Sequence, residues 1–207
     1  MLYAQVPVRA TCFKQIIKPQ TPISKEGEAF IQIDLLRFYI SHCYLYRDAQ
    51  KIGGSTDSIY LIDFEQPKPV QFELDHPNLV PNRLQFCIGV DSISSCLGAY
   101  EGALDPLNGM YWSWQSGYIN LKLEGTYALN QQKEAFQYHI GGYQYPYNAL
   151  RTVELDLEAG LDFILCLKVD LLLELWDWKQ TKQLMRPCLS ALRFADILAQ
   201  SFEISYD

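Results

Sequence analysis

Histidine is scarce in this chain: His42, His76 and His139 are the only three among 207 residues. None stands in an H-E-x-x-H pair, and neither a G-x-S-x-G elbow nor a phosphate-binding glycine loop is present. The sequence therefore carries no metalloprotease, serine-hydrolase or nucleotide signature, and an enzyme is not expected. Cations are outnumbered, with 17 Lys and Arg against 24 Asp and Glu for a net charge of -7. That balance argues against a nucleic-acid partner or an anionic membrane surface, both of which need a basic field. No apolar run approaches the roughly 18 residues of a membrane helix, so no membrane span is expected.

The six cysteines (Cys12, Cys43, Cys87, Cys96, Cys166 and Cys188) include no C-x-x-C pair and no zinc-type spacing, which excludes a thiolate metal cluster. Their even number permits disulfides in an oxidising compartment, with Cys87 and Cys96 the most local pair. Free thiols acting as small hydrophobes are the alternative. The N-terminus lacks the basic region and long apolar core of a signal peptide. Met1-Leu2-Tyr3-Ala4-Gln5 nevertheless ends on a small residue as the tail of one would, which would place the true start upstream.

What is present is apolar and aromatic: 49% of residues are hydrophobic and 14% are Phe, Trp or Tyr. This is enough for one full core, and a single domain over residues 1–207 is expected. The dominant pattern has period two. Phe30, Leu36, Phe38 and Ile40 share one parity against Arg37, Tyr39 and Ser41. Ile59 to Phe64 forms a short apolar strand, and Val70, Phe72 and Leu74 alternate with Gln71 and Glu73. Leu84 to Val90, Phe136 to Ile140 and Val153 to Leu157 alternate likewise. The longest alternation, Leu165 to Leu175 with Lys168, Asp170 and Glu174 on the other parity, reads as one strand.

Residues 5 to 27 contain Pro7, Pro19 and Pro22 and predict at most an edge strand, and Gly53-Gly54-Ser55 predicts a turn. Asp91 to Gly109 predicts a long loop. After Pro187, Leu189, Leu192, Ala195, Leu198 and Phe202 recur at helical spacing. The expected fold is all-β: an antiparallel β-sandwich of about eight or nine strands with one short C-terminal helix.

The densest stretch is LDPLNGMYWSWQSGYINLKLEG, Leu104 to Gly125. By parity Trp112 and Trp114 face opposite to Ile119, Leu121 and Leu123. With the register intact they lie off the core face, as His139 does opposite Phe136, Tyr138 and Ile140, and could share a site with it. A bulge at Gly117 would instead turn them into the core. His139 is the best single metal ligand, since an imidazole on a strand is rigidly held; a hydrogen-bonded structural histidine is the alternative. Asp91, Glu101, Asp105 and Asn108 offer oxygens that suit calcium, and equally suit capping of their own turns.

Four stretches resemble the MbnP-like family of the methanobactin cassette: LLRFYIS (Leu35 to Ser41), GALDPLNGMYWSWQSGYINLKLEG (Gly102 to Gly125), FQYHIGGY (Phe136 to Tyr143) and ALRFADILAQSF (Ala191 to Phe202). The resemblance implies a periplasmic or extracellular β-sandwich protein that binds copper through histidine. It further implies, as in some relatives, a tryptophan oxidised to kynurenine at the metal by a partner dihaem peroxidase. The positions that match are His139 for the metal and Trp112 and Trp114 for the modified residue. One departure stands out. Family members often carry a histidine before the segment matched here by Leu61-Ile62-Asp63, and this chain has Tyr60 there; His42 is the candidate substitute. The competing expectation is a module without metal that engages a glycan or protein partner through Trp112, Trp114 and the turn Tyr143, Tyr145 and Tyr147.

Overall fold

The computed structural model describes residues 3–25, 29–66, 70–75, 79–96, 101–112, 117–129, 132–177 and 180–206. The strands are β1 (Tyr3–Cys12), β2 (Gln15–Ile16), β3 (Pro22–Lys25), β4 (Ala29–Arg47), β5 (Gln50–Asp63), β6 (Gln71–Asp75), β7 (Arg83–Ile88), β8 (Tyr111–Trp112), β9 (Gly117–Leu129), β10 (Gln132–Gly141), β11 (Arg151–Asp156), β12 (Ile164–Lys168), β13 (Gln183–Leu184) and β14 (Phe202–Ser205). The helices are α1 (Ser92–Cys96), α2 (Val169–Leu175) and α3 (Leu189–Gln200).

These strands form an all-β sandwich. The larger sheet runs β11-β7-β4-β9-β10-β13, with β3 and β5 also on β4 and β8 on β9; the smaller runs β14-β12-β1-β2, with β6 also on β1. Most pairings are antiparallel, but β1 pairs β12 and β10 pairs β13 in parallel. Alternating residues of both sheets meet in the main core, where Phe202 of the smaller sheet packs edge-on against Phe38 and Phe86 of the larger, with ring centroids 5.6 and 5.4 Å apart. Tyr138, Trp176 and Phe194 fill the space under α3.

Strand β4 organises the larger sheet because it pairs with four others along its 19 residues. Its parity changes twice. The pairing with β9 slips between Ile33 and Leu35, and the pairings with β5 and β7 slip around His42, whose φ is 50°. Each bulge adds one residue, so Ile31 and Ile33, then Leu36, Phe38 and Ile40, then Cys43 and Leu45 all reach the main core. Phe30, which one unbroken parity places in the core, is instead half-buried under the Lys133 ammonium.

Several expectations are corrected. Gly53 and Gly54 lie inside β5, and Gly54, at φ 105°, faces the bulge: a Cβ there would come within 2.1 Å of the Cys43 carbonyl oxygen. Strand β1 is paired along both edges despite Pro7. The Val8 N–H donates to Val70, so the Pro7 nitrogen faces the other edge, where pairing with β12 begins only at Val8. The Leu165 to Leu175 alternation divides into β12 and α2. Beyond Lys168 the fully buried positions are Val169, Leu172 and Leu173, a helical spacing, and Asp170 sits favourably in the first turn. The 91–109 segment is not irregular throughout, since it contains α1 and two 3₁₀ turns, Gly102–Leu104 and Pro106–Asn108. All six cysteines are free thiols, so Cys87 and Cys96 are not bridged. Burial pushes the Cys12 thiol up to about 12 and raises Cys43 and Cys87 as well, which keeps these sulfurs protonated.

Candidate functional site on the outer face of the larger sheet

An antiparallel sheet can leave one face to water, but here the face turned away from the main core carries a second apolar cluster of Tyr39, Val90, Met110, Trp112, Tyr118 and Ile119. The chain between β7 and β9 covers it. Four donors of the sheet hold that cover by its carbonyls: Tyr39 Oη donates to Ala103 at 3.0 Å, Tyr118 Oη to Leu104 at 2.9 Å, Arg37 Nη1 to Asn108 at 2.9 Å and Lys122 Nζ to Gly109 at 3.1 Å. Burial raises the Tyr39 phenol, which secures it as a donor.

The tryptophan question resolves between the two alternatives. Trp112 is 6% exposed and packed, yet in the outer cluster rather than the main core. Its partner in β9 is Gly117, and the register slip falls further on, where Gly141 pairs Ile119 and Ile140 pairs Leu121. Asn120 is the extra residue. Ile119 thereby joins the outer cluster, and Leu121 and Leu123 reach the main core. Gly141 is required where it stands: a Cβ would come within 2.9 Å of the Trp112 ring. Trp114 lies outside the described residues, as does His76.

His139 stands on the same outer face as Trp112 and two residues before Gly141. It pairs with Lys122 across the ladder, and its Nε2 lies 2.6 Å from Glu124 Oε1, one diagonal step away. The His139 side chain is 8% exposed and that of Glu124 25%. Burial, opposed by the Glu124 hydrogen bond and aided by the Lys122 charge, holds the imidazole below its ordinary pKa. The ring is neutral at pH 7. Glu124 is the site residue that periodicity missed, because its partnership depends on the register between β9 and β10. The signal for it is the pairing of Leu129 with Gln132, which fixes the later pairs of that hairpin as far as Ile140 with Leu121.

The other candidates do not converge on His139. Tyr60 projects into the main core, packs on Phe72 at 5.9 Å and donates to the Glu73 carbonyl, so it and His139 lie on opposite faces of the sheet. His42 sits at the β4 bulge, with Nδ1 3.1 Å from Ser41 Oγ and Nε2 3.8 Å from Asp91 Oδ2. Asp91 itself caps α1, accepting from both the N–H and the Oγ of Ser94. Asp105 caps the second 3₁₀ turn through Leu107 N–H, and the Asn108 amide donates to Gly102 and Ala103. The oxygens read as calcium donors are thus engaged in separate turns, and Glu101 does not join them. Among the described residues no three His, Cys, Asp or Glu side chains gather as ligands of one metal ion.

Beyond Gly141 the chain turns through Tyr143, Tyr145 and Tyr147, which with Trp112, Gly142 and Pro187 line a recess of about 90 Å³. Tyr145 is 97% exposed and Tyr147 37%. Gly141, which closes β10 two residues after His139, lies against the Trp112 ring that lines the recess.

The sequence model of the MbnP family matches residues 9–185. Among solved structures, the chain is similar to MbnP from Methylosinus trichosporium, with a TM-score of 0.52 and 16% identity over 84% of this chain and 78% of that one. At that identity the likeness is one of fold. No curated protein matches the chain.

Proposed function

The chain belongs to the MbnP family, and from that membership we propose an exported, non-catalytic protein that binds copper at His139 and works in the periplasm or outside the cell. The observation that carries the reading is His139 itself. It is a buried, neutral imidazole, carboxylate-paired, on the face that also holds Trp112. A neutral imidazole is a favoured copper ligand, but it is one donor, and among the described residues no set of three His, Cys, Asp or Glu side chains gathers to complete a site. His139 would hold the ion and Glu124 would orient the ring. Copper supplies redox and Lewis-acid chemistry when bound; the protein's own part is to hold the imidazole neutral in a water-poor setting.

Trp112 and Trp114 are the residues that a partner dihaem peroxidase would oxidise to kynurenine. Trp112 borders the recess lined by Tyr143, Tyr145 and Tyr147. Copper titration of the purified protein and of His139→Ala tests the reading: submicromolar binding that is lost in the variant supports it. Absence of such binding, or its survival in His139→Ala, overturns it. Protein from the native host should also show a small net mass gain mapped to one of these tryptophans.

The 97% exposed Tyr145 favours a second reading, a glycan- or protein-binding recess without metal. Stacking there would fall on the tyrosines and not on Trp112. A glycan array giving the same result with wild type and Tyr145→Ala would remove the glycan form of it.

A further inference from the structure

The smaller sheet is incomplete at one end of the sandwich. On its β12 side, β1 is paired only from Val8 to Thr11, so among the described residues no strand lies beside Tyr3–Pro7 there. The chain from Leu157 to Phe163, which joins β11 of the larger sheet to β12 of the smaller, borders this place without adding a strand to it. A cleft of about 820 Å³ results, within the range of about 300–1,000 Å³ in which proteins hold small molecules. Its floor is the edge of the main core, where Leu45 of the larger sheet and Val6 and Leu74 of the smaller are all buried.

Two features of the lining say what would fill it. Leu79, Val80 and Leu161 are 51%, 48% and 52% exposed around the opening. Apolar residues scattered singly over a surface need no explanation, but three about one cleft mark apolar area that a ligand would cover. Arg9 is the one cation of the described lining, half-buried, and it makes no ion pair or hydrogen bond among the described residues. Other half-buried arginines are engaged: Arg37 pairs with Asp63 and Glu65, and Arg151 with Asp196. Glu158 and Asp162 also border the cleft, but both are exposed and keep their water. Their charge disfavours a dianionic head such as a phosphate, whereas a single carboxylate suits a single guanidinium, whose paired donors match its two oxygens. We propose that the cleft binds a fatty-acid-type carboxylate, with the chain against Leu45, Leu74 and Leu161 and the head on Arg9.

Isothermal titration of laurate, kept below its micellar concentration, into the purified full chain tests the proposal. Saturable one-to-one binding is expected, and each methylene removed from the chain should weaken it about fourfold. Arg9→Gln, which removes the charge, should weaken laurate binding on the order of 10- to 100-fold. Leu161→Asp, at an exposed position, should weaken it as well, and thermal unfolding checks that both variants are folded. Absence of saturable binding overturns the proposal, and so does unchanged laurate affinity in either variant. Dodecyltrimethylammonium binding as tightly as laurate would assign the head to Glu158 and Asp162 and overturn it too. A wild-type dimer in sedimentation velocity that Leu161→Asp dissociates would give the apolar opening to a second copy of the chain instead.

Discussion

His139 meets solvent over only 6% of its surface, so its charge is decided by neighbours and by burial. Its pKa lies below the ordinary 6.5 in the folded state. Below that value the unfolded chain binds more protons than the native one, so this residue contributes stability that is complete above 6.5 and is lost as pH falls toward the folded pKa. Replacing it by Gln should flatten the acid side of the stability curve by at most about 1.4 kcal/mol per pH unit. Urea unfolding of wild type and His139→Gln between about pH 5 and 7.5 measures this, and parallel curves would contradict it. The outward direction of His139 was legible from two-residue periodicity alone. Its partner was not, because Glu124 is distant in sequence and only register brings it near. Trp112 was half legible: parity turned it off the main core, but no sequence pattern announced that a second apolar layer would bury it there.

Among the elements, β6 follows from alternation because its buried positions, Phe72 and Leu74, lie two residues apart, and the same spacing sets Leu84 and Phe86 of β7 and Phe136, Tyr138 and Ile140 of β10 in the main core. The bulges of β4 and β9 were hidden, since an added residue leaves the composition unchanged and alters only the facing. The end of β12 was hidden for another reason. Leucine suits helix and buried strand alike, and Leu171 to Leu175 satisfies either period for one short turn. The two assignments differ sharply in what each leucine does. In a strand Leu171, Leu173 and Leu175 would share a face; in α2 Leu172 is fully buried and Leu175 is 45% exposed. Leu172→Ala should therefore cost about 2–5 kcal/mol and Leu175→Ala within about 0.5 kcal/mol. Chemical denaturation of the two variants decides it, and a larger loss at Leu175 would favour the strand.

At the scale of the whole molecule, the larger sheet separates two apolar regions of unequal weight. The main core joins both sheets and α3, whereas the outer cluster is closed by a single stretch of chain between β7 and β9, tied down largely by side-chain donors to its carbonyls. Such a cover should open at lower free energy than the sandwich. Tyr39→Phe, which removes the hydroxyl that reaches Ala103, should lower stability by about 0.5–1.5 kcal/mol. It should also speed amide hydrogen exchange at Asn108 and Gly109 more than in the middle of β10. Uniform acceleration across the molecule would show that the cover and the sandwich open together. The cover is also one excursion that leaves β7 and returns beside β9 without supplying a strand to the frame's central pairings. Insertions or exchanges there would lengthen or refurnish it while the ladders beneath keep their register. Descent can thus alter what this face accommodates while inheriting the sandwich intact.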